Sequence, residues 1–318
     1  MQSAQTWSRR IAATTALTAL VLSGCATREQ DATPGSATGA APASAFPVEL
    51  TAPGGERLVL DRAPQRIVSL APTSTESLFA IGAGAQVVAV DDRSTYPENA
   101  PRTDLSGFQP NVEAVAGHTP DLVVASNDTE GLVAGLAKVD VPVLLLPAAT
   151  DLDDVHEQIS LLGRATGHTA EADDLVRTMR ADVEKIVADT PRPAEPLSYY
   201  HELDPSFYTA TSATFIGRVY GLFGLTNVAD AASVTGDYPQ LSAEQVVQAD
   251  PDLIFLADVA CCGQSAETVA QRPGWASVTA VREGGVVALD DDVASRWGPR
   301  VVDLVRTVAD AVAASAAK

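Results

Sequence analysis

Apolar positions along the chain alternate between two periods. Short apolar runs bounded by turn residues lie at Arg66–Ala71, Gln86–Val90, Val141–Leu146, Leu197–Tyr200, Leu253–Ala257 and Gly285–Leu289. Such runs predict buried strands. Between them the period becomes helical. Asp151 to Thr190 has no strong breaker apart from Gly163 and Gly167, and it reads as one helix to about Thr166 and a second from Thr169 to Ala188. In the second, Leu175, Met179, Val183 and Ile186 are spaced three or four apart, as one buried stripe requires. A helix of roughly twenty residues spans about 30 Å, which is enough to connect two domains stiffly. Strands alternating with helices argue for an α/β fold with parallel sheets covered by helices. Val48–Leu50 and Leu58–Leu60, around Pro53-Gly54-Gly55, predict a small hairpin ahead of it.

Part of this pattern occurs twice. Residues 111–126 read NVEAVAGHTPDLVVAS and residues 242–257 read SAEQVVQADPDLIFLA. Each has a Glu, a Val at helical spacing, Pro-Asp-Leu seven residues after the Glu, and then an apolar run. Glu113 corresponds to Glu244 and Pro120 to Pro251. A short helix should stop near the proline, which disfavours helix in the residue before it, and a buried strand should follow. The 131-residue offset is about one domain long, so the architecture is duplicated. The expected division is an N-terminal lobe over 46–165, an interdomain helix over 166–190 and a C-terminal lobe over 191–318.

The first 24 residues read as an export signal: Arg9-Arg10, an apolar stretch from Ile11 to Leu22, then Leu22-Ser23-Gly24 before Cys25. The stretch is too short to span a membrane. Cysteine after Leu-Ser-Gly resembles the lipobox of bacterial lipoproteins, which implies acylation of Cys25 and anchoring to the outer face of the cell membrane. Residues 25–45, mostly Ala, Thr, Ser, Gly and Pro, read as a flexible tether. Lys and Arg number 21 against 41 Asp and Glu, a net charge of −20, and this composition excludes nucleic acid as a partner.

Several segments carry a resemblance: Pro64-Gln65-Arg66-Ile67-Val68-Ser69-Leu70-Ala71-Pro72, Thr75-Glu76, Tyr96-Pro97, the two repeats, Tyr238-Pro239-Gln240-Leu241-Ser242, and Ser295-Arg296-Trp297-Gly298-Pro299-Arg300. In order and spacing they resemble the substrate-binding lipoproteins of ABC importers for ferric siderophores, haem and cobalamin. The resemblance implies two Rossmann-like lobes joined by a rigid helix, with a ligand cleft between them. It implies a monomer that delivers a metal chelate to a permease dimer and its ATPase. Glu113 and Glu244 match the glutamates with which members of the family dock onto arginines of the permease. Two exposed carboxylates on separate lobes suit that task, because each can accept a forked pair of bonds from a guanidinium.

Loops after the strands should line the cleft. The N-terminal lobe would present Pro72, Thr73, Arg93, Tyr96, Phe108 and Asn127. The C-terminal lobe would present Tyr200, His201, Tyr208, Tyr238, the Cys261-Cys262 loop, Asp292, Arg296 and Trp297. Aromatic rings suit a large flat chelate. Arg93 and Arg296 could fork onto anionic ligand oxygens. Tyr238 stands where the cobalamin-binding member has a pocket tryptophan, and Asp292 and Arg296 match its Asp and Arg. The tryptophan preceding that Arg has no counterpart, although Trp297 is adjacent. Cobalamin, haem and ferric siderophore therefore all stay open.

In an exported chain Cys261 and Cys262 are expected to form a vicinal disulfide shaping a ligand-facing loop. Asp290-Asp291-Asp292 reads as a solvated turn, since adjacent carboxylates diverge and lack the spacing of a calcium loop. No resident cofactor or directly bound metal is expected, because His118, His156, His168 and His201 are far apart. Phosphate-loop, HExxH and GxSxG patterns are absent, so the chain reads as a binding protein. A sensor or adhesin with the same fold, and an exported enzyme, are the alternatives.

Overall fold

A computed structural model describes residues 46–232 and 235–317. The expected signal segment, Cys25 and the expected tether lie outside the described residues. The described residues belong to one compact unit. It opens with an antiparallel hairpin, β1 (Val48–Thr51) and β2 (Arg57–Leu60), with Val48 opposite Leu60. Two wholly parallel four-stranded sheets follow. The first contains β3 (Ile67–Ser69), β4 (Val87–Val90), β5 (Leu122–Ala125) and β6 (Val143–Leu145), in the order β4-β3-β5-β6. The second contains β7 (Ser198–Glu202), β8 (Thr226–Asn227), β9 (Leu253–Leu256) and β10 (Val286–Ala288), in the order β8-β7-β9-β10. Strand for strand this is the same topology, so β3 corresponds to β7, β4 to β8, β5 to β9 and β6 to β10.

The repeated Pro-Asp-Leu has a clear structural cause. In each copy a short capped helix, Val112–Gly117 or Ala243–Ala249, runs up to the turn. The residue before the proline then takes a left-handed conformation, Thr119 at φ 49° and Asp250 at φ 45°. That turn ends the helix and aims the chain into the sheet. The aspartate next clamps the neighbouring strand. Asp121 accepts hydrogen bonds from the backbone N–H groups of Gln65 (2.9 Å) and Arg66 (2.8 Å), just ahead of β3. Asp252 accepts from the backbone N–H (2.8 Å) and hydroxyl (2.7 Å) of Ser198, where β7 begins. The motif thus sets the register between the two central strands of each sheet.

Helix Leu152–Thr166 ends at Gly167, whose φ of +83° suits glycine, and helix Thr169–Asp189 begins two residues later. Gly163 serves packing and does not break its helix: a Cβ there would lie 2.4 Å from that of Ala172, so only glycine permits the close crossing. The connecting helix buries Ala172, Met179 and Val183, and the C-terminal helix Val301–Ala316 packs against it. One continuous apolar core runs from Leu50, Ile67 and Leu78 through Ile159 and Met179 to Tyr199, Phe255, Val305 and Val312. The outer face of each sheet has a smaller core of its own, around Val68, Val115 and Val123 in the first lobe and around Tyr200, Ile254 and Trp275 in the second. Because the lobes share apolar burial on the connector side, they resist the free swinging that a thin linker would allow.

Removing one clamp, Asp121→Ala or Asp252→Ala, leaves backbone donors unpaired and should cost about 1–3 kcal/mol, read as a lower urea midpoint. His201 is fully buried and its Nδ1 lies 2.8 Å from the Tyr220 hydroxyl; burial lowers its pKa to about 4. The unfolded chain takes up that proton first, at the ordinary value near 6.5, so this contribution is complete above that pH and is lost as the pH falls toward 4. Wild type should therefore lose roughly 2–3 kcal/mol more than His201→Gln between pH 7 and pH 4 in urea unfolding.

Candidate functional site

The carboxyl ends of the parallel strands carry the loops that join the two lobes, which is where crevices form in open α/β sheets. The loop after β4 meets the segment after β10 through Thr95, whose hydroxyl donates to Asp292 at 2.6 Å. On the other side Asp151, after β6, stands 3.9 Å from Arg218 in helix Phe215–Gly221, which leads into β8. Since that helix lies between β7 and β8, its counterpart is helix Pro72–Ala80 between β3 and β4. Glu76 of the counterpart accepts from Arg296 at 2.9 Å and Arg300 at 2.6 Å after β10, so this contact and that of Asp151 with Arg218 are reciprocal, as a pseudo-twofold between the lobes demands. Beside the Arg218 contact is a cavity of about 310 Å³ between Asp151, His156, Arg180, Phe215 and Leu222, and no predicted ligand residue lines it.

Among the described residues, the large aromatic side chains left exposed are Tyr96, Phe108, Tyr208 and Tyr238. All four lie on predicted cleft loops, two per lobe. Phe108 is held above the end of β3 because Gly107 packs so closely that a Cβ would sit 2.2 Å from the Leu70 carbonyl oxygen. Tyr208 and Tyr238 are brought together by loop pairing, with Thr209 donating to the Pro239 carbonyl at 2.9 Å and Leu241 to that of Phe207 at 3.1 Å.

Of the other predicted contacts, Tyr200, His201 and Thr73 are corrected. Tyr200 is fully buried and packs edge-on against Trp275, 6.2 Å between ring centres, in the core of its own lobe. His201, on the opposite face of the same strand, is equally enclosed, and Thr73 is buried in its helix. Strand β7 carries its apolar and aromatic side chains into cores on both faces, so neither residue reaches the cleft. Pro72 starts helix Pro72–Ala80 and is half-buried. Asn127 spends its side-chain oxygen on the N–H of Thr129 at 3.0 Å, and Trp297 is half-buried against the shared core. Arg93 is exposed, while its carbonyl accepts from Arg296 at 3.0 Å.

Arg296 does not present a free fork. It donates to Glu76 at 2.9 Å, Asp292 at 2.7 Å and the Thr95 hydroxyl at 3.1 Å. The acids after β10 are likewise no solvated turn. Asp290 caps its helix through the N–H of Val293 at 3.0 Å, and Asp291 accepts from the N–H groups of Val259, Ala260 and Cys261 at 2.8–3.1 Å. Asp291 thereby fastens the exposed segment in which the sulphurs of Cys261 and Cys262 are bonded to each other.

The sequence reading missed the buried charges at the strand ends. Glu202 closes β7 and receives both arms of Arg272, at 2.6 and 2.5 Å, while Arg272 lies 4.6 Å from the ring centre of Trp275. Asp258, one residue beyond Ala257 after β9, is buried close to Glu202; burial, and then that neighbouring charge, raise its pKa to about 7. Glu76 is the acceptor for Arg300 as well as Arg296. A carboxylate at the end of an apolar strand, or in the first turns of the helix after one, was the available signal.

Glu113 and Glu244 are exposed, each in the first turn of its short helix. Asn111 and Ser242 fix those turns by accepting from the N–H groups of Ala114 (2.9 Å) and Gln245 (3.2 Å). Glu244 also borders a cavity of about 780 Å³ lined by Phe207, Arg272 and Trp275.

The sequence profile described as periplasmic binding protein matches residues 67–293. A cobalamin-binding protein of Halobacterium salinarum is 36% identical over 280 residues, 85% of this chain and 75% of its own length. The ABC transporter substrate-binding lipoprotein YvrC of Bacillus subtilis is 32% identical over 276 residues, 84% of this chain and 86% of its own. The crystal structure of the periplasmic vitamin B12 binding protein BtuF of Vibrio cholerae superposes with a TM-score of 0.65 at 27% identity, covering 78% of this chain and 96% of that one. With the duplicated parallel sheets and their shared connecting helix, this match makes the chain a member of the periplasmic binding protein family.

Proposed function

We propose that this protein is an extracytoplasmic receptor, tethered to the membrane through acylated Cys25, that captures a corrinoid between its lobes and passes it to an ABC permease. The four exposed rings of Tyr96, Phe108, Tyr208 and Tyr238 carry the reading. An exposed aromatic costs solvation of its apolar face, and two such rings on the loops of each lobe suit a broad ligand whose edges are amides and whose faces are apolar. The cobalamin-binding relatives support the choice of chelate. Affinity comes from a preformed crevice, since lobes that share a core lose little freedom on closing over the guest.

Glu113 and Glu244 supply the contact with the permease. They occupy equivalent places in the two lobes, so arginines placed symmetrically on a two-fold partner can engage both at once. Prying at these points works against the shared core and loosens the ligand.

Replacing Tyr96 or Tyr238 by alanine should weaken cyanocobalamin binding about tenfold each in calorimetric titration, with melting temperatures close to wild type. Unchanged affinity in both would remove the aromatic basis of the reading. Glu113→Arg and Glu244→Arg should each lower cellular corrinoid uptake at least about tenfold while keeping Kd within about twofold. A loss confined to Kd would move these residues from docking to the ligand site.

A further inference from the structure

The two arginines following β10 reach from the C-terminal lobe to the N-terminal one, and both are already engaged. Glu76, buried in helix Pro72–Ala80 of the N-terminal lobe, accepts from Arg296 at 2.9 Å and from two nitrogens of Arg300 at 2.8 and 2.6 Å. Arg296 turns its other arm to Asp292, the Thr95 hydroxyl and the Arg93 carbonyl. The guanidinium of Arg300 lies 4.4 Å from the ring centre of Tyr96, so that ring covers it. A Cβ on Gly298 would lie 3.5 Å from Glu76, so the loop carrying both arginines sits directly over the carboxylate. Glu76 and Asp292 thus balance Arg296 and Arg300 two against two. Asp91, buried beside Ser94 and influenced by Arg296, puts a third acid within the same cluster.

We infer that Glu76 is a specificity determinant of the cleft: by holding Arg296 and Arg300 within the protein, it makes the site accept an uncharged chelate and refuse one that carries carboxylates. This rests on the corrinoid reading above and adds a selection rule to it. Buried guanidiniums with free donors would select an anion, because the anion would supply the missing acceptor. Guanidiniums whose charge is already matched by an internal carboxylate reverse the preference: an incoming anion gains little from them and must approach the carboxylates already there. The side chains of Arg296 and Arg300 are only 10% and 19% exposed, which keeps water from screening the effect. Were the network merely a tie between lobes, breaking it would lower stability and leave the choice between neutral and anionic ligands unaltered.

The test compares cyanocobalamin with its monocarboxylate derivative, in which one side-chain amide is hydrolysed, on the detergent-solubilised full chain by calorimetric titration. Wild type should prefer the amide form by about tenfold or more, and Glu76→Gln, nearly the same in shape, should bring the two ligands to within about threefold. Asp292→Asn, at a more exposed position, should narrow the ratio in the same direction, and it carries the test if Glu76→Gln does not fold. An equal ratio in wild type and variants, or no amide preference in wild type, overturns the inference. Failure of wild type to bind either corrinoid overturns the corrinoid reading alone. The inference is then decided with haem, which bears two propionates: about tenfold tighter binding by Glu76→Gln or Asp292→Asn supports it, and no gain in either rejects it.

Discussion

Both sheets bury their connector-facing sides in one apolar mass, and that shared burial determines where everything else can lie. Tyr199 and Phe255 from the second sheet, Ile67 and Val124 from the first, and Met179 and Val305 from the helices between them belong to a single core. Parallel strands all deliver their loops to one end, so two sheets fixed to one core must present facing loop sets. The cleft is a consequence of that geometry. A receptor built this way gives up large hinge motions, because separating the lobes would expose core.

The loops that meet at the cleft divide their work by polarity. Four aromatic rings are left exposed there, while Glu76, Arg296 and Arg300, and Glu202 and Arg272, are paired with one another. Glu202 with Arg272, and Glu76 with Arg296 and Arg300, place ion pairs at strand ends where unpaired charges would be costly to bury. The two clusters have different reach. Glu202, Asp258 and Arg272 all belong to the C-terminal lobe, whereas Glu76 and Thr95 bond to residues more than 190 positions later, so the second cluster spans the cleft. The relative placement of the lobes is therefore fixed in part by these few side chains. An overall net charge of −20 does not describe this site, since its local balance is set by pairing.

Much of the framework was legible in the chain. Seven of the eight parallel strands lie within or beside apolar runs, and Glu113, Asp121, Glu244 and Asp252 recur in topologically equivalent places. β8 escaped because Thr226 and Asn227 have no apolar signature; the strand exists because Asn227 donates to the Tyr199 hydroxyl at 2.8 Å and the Ala210 carbonyl at 2.7 Å. The C-terminal helix has the expected spacing in Val301, Leu304, Val305, Val308 and Val312, and only the assembled core shows that it packs on the connector. Exposure was the less readable property. Tyr200 and Tyr208 look alike as aromatic residues after an apolar run, yet one is sealed in a core and the other is 41% exposed.

What the sequence determined alone was period and repetition: strand and helix spacing, a twofold-repeated unit, and the aspartates and glutamates that recur in it. These follow from local stereochemistry, which acts over a few residues. Tertiary structure decided which charges find partners. Glu76 and Arg300 are separated by 224 positions, and no local rule can reveal that a single buried carboxylate binds both that arginine and Arg296. Pairing depends on distance in space, and distance in space is set only when the lobes close on their common core.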